Sequence, residues 1–156
     1  MGRGFHLTID EWFYYWFADD AKIADAVIIF DKMFEVCDKI VIQRESRLAK
    51  RFHELFEASS MYPPIQRAEV KRIMKKWLTN PLKIYWVEKT EELSEALVAQ
   101  LPSEDIYIVK ICAATTDKIF ITTDKKLFAD LLRCKPELGI SPYMADDFIK
   151  AYPDFQ

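Results

Sequence analysis

The chain has 156 residues, 51% of them apolar and 30% charged, with a formal net charge of −3. That length predicts a single domain spanning 1–156, and the composition excludes a disordered or collagen-like chain. With only three glycines (Gly2, Gly4 and Gly139) no glycine-rich phosphate loop is available, which removes the P-loop and GxGxxG classes of nucleotide binder.

In chain order, residues 5–9 (Phe-His-Leu-Thr-Ile) read as a first strand ending at Asp10. Residues 11–17 are aromatic on every side and predict a buried turn or two of helix. From Asp20 to about Asp38, Ile23, Val27, Ile28, Phe30, Met33, Phe34 and Cys37 recur at helical spacing. Residues 39–43, rich in β-branched side chains, predict a buried strand. A charged helix follows over 44–58, with Leu48, Phe52, Leu55 and Phe56 on one face. Tyr62-Pro-Pro-Ile65 breaks the chain, Pro64 suits the first turn of the next helix, and that helix runs to about Leu78. Residues 83–87 predict a third strand, Thr90 an N-cap, and 91–100 a helix. Ser103 predicts the N-cap of a helix to about Thr115, with Glu104 and Asp105 in its first turn, where the helix dipole favours acids. Residues 118–122 predict a fourth strand, Thr123-Asp124 a cap, and 125–133 a short helix. Residues 140–144 predict an edge strand kept short by Pro142, and 146–152 a last helical turn or two.

Strands separated by helical segments imply an α/β fold, a Rossmann-like three-layer α/β/α arrangement with a central parallel sheet of four to five strands. In such sheets ligands bind at the carboxyl edge of the strands. Asp10, Asp105 and Asp124 all fall on that edge. Crowded carboxylates repel and call for a cation. Oxygen-only ligation, with His6 and His53 as the sole histidines and no CxxC among Cys37, Cys112 and Cys134, suits Mg²⁺ or Mn²⁺. Such an ion supports displacement at phosphorus.

The stretch Ser-Glu-Asp105-Ile-Tyr-Ile-Val-Lys-Ile-Cys-Ala-Ala-Thr-Thr-Asp-Lys-Ile-Phe-Ile-Thr122-Thr-Asp124 resembles the C-terminal half of a PIN domain, in which a helix carrying an acid leads into a strand and a Thr/Ser-x-Asp turn. Phe-His-Leu-Thr-Ile-Asp10 resembles that family's first strand and first acid, although Glu-Trp follows where Thr/Ser-Asn is usual. The resemblance implies a metal-dependent endoribonuclease with Asp10, Asp105 and Asp124 as catalytic metal ligands and Thr122 hydrogen-bonding behind them. It also implies an acid on the helix after the second strand, where Lys50 and Arg51 stand here; Glu45, at that helix's start, is the substitute nearest the active edge. The alternative is a degenerate PIN-like domain that binds RNA or protein without cleaving; the toxin half of a toxin–antitoxin pair is a third reading.

Residues 44–83 hold ten Lys/Arg and four Asp/Glu, a net of +6, leaving −9 for the remainder. Arg67, Lys71 and Lys75 recur every four residues and form a candidate RNA-phosphate stripe. The aromatic segment 12–17 offers a stacking platform, a homodimer surface or core, with core packing expected. No signal peptide or membrane span is read, which predicts a cytoplasmic protein whose partners are RNA, a second copy or another protein, and not a membrane.

Overall fold

A computed structural model describes residues 4–57 and 64–152, the side chains of residues 64 and 65 excepted. The breaker expected at Tyr62-Pro63 lies outside the described residues. Among the described residues five strands form: β1 (His6–Ile9), β2 (Lys39–Gln43), β3 (Ile84–Val87), β4 (Ile119–Thr122) and β5 (Ser141–Met144). They make one all-parallel sheet in the order β3-β2-β1-β4-β5. Leu7 pairs with Ile40 on one side and with Ile119 on the other. The inner strands are almost wholly buried, which is why their sequences run apolar without alternation. The rims differ: β3 exposes Tyr85, and β5 carries Pro142, whose missing N–H is tolerated on an edge.

Between β1 and β2 lie α1 (Trp12–Ala18) and α2 (Ile23–Glu35), and between β2 and β3 lie α3 (Arg47–Glu57) and α4 (Pro64–Leu78). Both connections step outward in the same direction, so right-handed crossovers put these helices on one face. The chain then returns past β1 to β4 and reverses direction. Hence α5 (Glu95–Val98), α6 (Ile106–Ala113), α7 (Lys125–Arg133) and α8 (Lys135–Leu138) belong to the other face. The last helix, α9 (Ala145–Ala151), crosses back and packs on α2. Three layers result, as the sequence predicts.

The aromatic segment becomes core. In α1, Trp12, Phe13, Trp16 and Phe17 are buried, and the Phe13 ring stacks on Phe52 of α3 at 4.3 Å. Phe30 of α2 meets Trp77 of α4 edge-on at 5.6 Å, which locks the helices of this layer together. Only Tyr15 of the segment is exposed, so α1 offers no broad aromatic face for a second copy.

Two capping expectations are corrected. Thr90 does not start the helix after β3; Ser94 does, its hydroxyl accepting the Leu97 N–H at 3.3 Å, and that helix is one turn long. Ser103 makes no side-chain cap. It opens a 3₁₀ turn (Ser103–Asp105) behind Pro102, and α6 begins only at Ile106. Pro102 holds the chain extended there and delays the helix by a turn.

Candidate functional site

The strand order reverses between β1 and β4, and the crevice at the carboxyl ends of such a pair is where open α/β sheets bind ligands. Asp10 leaves β1 at this point, Thr122 ends β4, and Asp124 follows two residues later. Asp105 arrives from the opposite layer at the start of α6. These segments, distant in sequence, surround a pocket of about 180 Å³ lined by Asp10, Glu11, Asp105, Tyr107 and Thr123 together with Trp12 and Tyr15.

A chain of hydrogen bonds builds the floor. The Trp12 indole N–H donates to the Ile121 carbonyl at 2.9 Å and pins α1 to β4. The Thr122 hydroxyl donates to Asp10 Oδ2 at 2.5 Å and accepts the Asp124 N–H at 3.0 Å, joining the two acid-bearing turns through one side chain. Asp10 Oδ1 accepts the Trp12 N–H at 3.1 Å. Asp124 caps α7, its Oδ1 accepting from the N–H groups of Lys126 and Leu127 at 2.8 and 3.1 Å. Asp105 makes no such bond to its own helix, and its carboxylate stays at the pocket wall.

Electrostatics mark the same place. Burial raises the Asp10 carboxyl to about 7, against the pull of its bonds to Thr122 and Trp12, and repulsion from Asp105 and Asp124 adds to the rise. Asp105 is raised too, by desolvation first, then by Asp124 and Glu104, with Arg47 opposing. Burial lifts the Tyr107 hydroxyl to about 12, so it stays protonated.

Sequence reasoning did not single out Glu11, Arg47 or Tyr107. Glu11 takes two guanidinium partners from one face of α3: Arg47 at 3.1 Å and Arg51 at 3.0 Å, spaced i, i+4. Arg47 also lies over the Tyr107 ring at 4.9 Å and donates to the Glu104 carbonyl at 3.0 Å. The adjacency of Glu11 to Asp10 was a usable signal; the rotation of α3 that brings Arg47 and Arg51 inward was not. Arg51, one of the two cations standing where the family pattern implies an acid, thus reaches the site as a counter-charge.

The remaining candidates lie elsewhere. Glu45, with a backbone φ of 62°, lines a separate cleft beside Arg44, Lys50, His53 and Trp86 and does not line the acidic pocket. Arg67, Lys71 and Lys75 are on the exposed side of α4, and none lines the pocket. Their neighbour Arg72 is engaged in a two-pronged bond to Asp31 at 3.0 and 2.9 Å.

The donor set is all oxygen, which suits a hard divalent ion. Among the described residues, no three carboxylate, imidazole or thiol groups stand close enough together to enclose one. The described side chains alone do not form an all-protein cage, and an ion here would need waters or a substrate phosphate to complete its shell. No family model, curated protein or solved structure matches the chain. Among the described residues no helix is long and apolar enough to cross a membrane.

Proposed function

We propose that the pocket at the carboxyl ends of β1 and β4 hydrolyses RNA phosphodiester bonds with the help of Mg²⁺ or Mn²⁺, as the PIN-like resemblance implies. The observation that supports this reading is the meeting of three acids at one sheet edge: Asp10 and Asp105 line the pocket, Asp124 follows Thr123 of its wall, and repulsion raises Asp10 against the other two and Asp105 against Asp124. One or two of these carboxylates would hold the ion, which when bound would supply charge neutralisation at the phosphate and a more acidic water. The chain's own contributions are separable. In the ion-free pocket Asp10, raised to about 7, exchanges a proton near neutral pH, so an ion bound there would compete with that proton. Thr122 fixes the Asp10 carboxylate and the Asp124 backbone relative to each other. Arg47 and Arg51 keep positive charge beside the pocket, where a phosphate approaches. In the reaction a water oxygen attacks phosphorus and gives up a proton, the P–O bond to the leaving sugar oxygen breaks, and that oxygen takes up a proton from solvent.

The second reading, an RNA- or protein-binding domain that does not cleave, is favoured by one observation: Glu11 is already neutralised by two arginines. Calorimetric titration with Mn²⁺ on the wild type and on Asp124→Asn, followed by RNA cleavage assays with Mn²⁺ or EDTA, separates the two. Binding lost in the variant, with Mn²⁺-dependent cleavage by the wild type, is the expected result. RNA binding with no cleavage in any divalent ion would overturn hydrolysis and leave the second reading. Asparagine remains a good N-cap, so α7 stays intact in the variant.

A further inference from the structure

Helix α3 has two working faces. Arg47 and Arg51 turn toward the acidic pocket, while Ala49, Lys50 and His53 turn the other way and form one wall of a second cleft. The opposite wall is Trp86 of β3, and the floor is the turn after β2, with Arg44 and Glu45. The cleft measures about 430 Å³, more than twice the acidic pocket, and it opens at the same carboxyl edge. Its lining carries the cations Arg44 and Lys50, the imidazole of His53 and a single acid, Glu45. The Arg44 guanidinium lies over the Trp86 ring at 4.6 Å. Among the described residues, neither Arg44 nor Lys50 makes a salt bridge.

An aromatic ring beside two cations is the chemistry of a single-stranded nucleic acid platform. Bases stack on aromatic rings or on guanidinium planes, and the neighbouring cations take the phosphates. An apolar small molecule would not need three basic side chains, and an acidic protein segment would not need a stacking face.

We infer that the Arg44–Lys50–His53–Trp86 cleft is a subsite for an unpaired nucleotide of a single-stranded RNA whose neighbouring phosphodiester lies in the acidic pocket on the other side of α3. The inference rests on the proposed function for the identity of the strand, but its test does not require cleavage. Helix α3 would then divide the substrate into a held part and a reacting part, and the strand would cross the helix at its amino-terminal turn.

The protein carries its own probe. It has four tryptophans; Trp12, Trp16 and Trp77 are buried, and Trp86 alone is partly exposed. Titration of the wild type with a short oligouridylate in EDTA should quench the exposed component of tryptophan emission. Trp86→Phe should abolish that quenching while keeping affinity within about threefold, because a phenyl ring still stacks, and Trp86→Ala should lose about tenfold or more. Arg44→Gln with Lys50→Gln should weaken binding at least about tenfold and reduce the salt slope by about 1.4, at 0.7 for each lost phosphate contact. Circular dichroism confirms folding, and the Phe variant keeps the test valid if Ala disturbs β3. RNA that binds without quenching and equally well to the Arg44/Lys50 variant would overturn the cleft, as would a wild type that binds no oligouridylate. Loss of divalent-dependent cleavage with the quenching intact would count against the hydrolytic reading alone.

Discussion

Asp10 should make the folded chain less stable as the pH rises, and Asp10→Asn should reverse this. The carboxyl is raised from 3.8 to about 7, chiefly by burial. Between those values the folded chain holds more of the proton than the unfolded chain does. Stability contributed by the protonated form is therefore present below about pH 4 and lost as the pH climbs through about 7. The full displacement corresponds to about 4 kcal/mol. Asparagine removes the charge but cannot copy both hydrogen bonds. If its oxygen accepts from Thr122, its amide faces the Trp12 N–H, and the mismatch costs about 1 kcal/mol. The variant should thus be about 1 kcal/mol less stable than wild type near pH 4 and about 2–3 kcal/mol more stable near pH 8. Urea unfolding in EDTA across this range, on both proteins, measures the crossover. A stability difference that stays constant with pH would refute the reasoning, because it would mean that Asp10 ionises as easily in the folded chain as in the unfolded one.

Thr122→Val keeps the shape of β4 but removes both the donor to Asp10 and the acceptor of the Asp124 N–H; it should cost about 2 kcal/mol in urea unfolding and push the Asp10 carboxyl still higher, read by carboxyl NMR titration. Unchanged titration of Asp10 would show that the threonine bridge is idle. Arg51→Ala frees Glu11 from one of its two cations and should tighten Mn²⁺ in calorimetry while shifting stability by less than about 1 kcal/mol, as befits a partly exposed pair. Weaker Mn²⁺ binding would mean that Arg51 supports the pocket and does not compete with the ion.

How much of this was legible in the sequence depends on how local the cause is. The five strands were readable because each is a short apolar run closed by polar or turn residues, and burial on both faces of the sheet enforces that pattern. The shared edge of Asp10, Asp105 and Asp124 followed from the alternation of strand and helix alone. The start of α5 did not, because Thr90 and Ser94 are both capping residue types; in the fold Ser94 accepts the Leu97 N–H, and the Leu97 side chain is buried. Glu11, Arg47 and Arg51 were invisible as a group because their meeting depends on the rotation of α3, which the buried Leu48, Phe52 and Leu55 set. The same rotation sends Lys50 to the second cleft, two neighbours in sequence ending on opposite sides of one helix.

The central position of β1 has a temporal consequence. Its partners are β2 and β4, and the bond from Thr122 to Asp10 joins residues 112 positions apart. On a ribosome adding about 5–20 residues per second, roughly 6–22 s separate the synthesis of these two residues. During that time Asp10 has no Thr122 and no Asp124, and Asp105 is made only in the last part of the interval. The acidic pocket therefore cannot exist before residue 124 has been made, and whatever chemistry it performs begins only after that point.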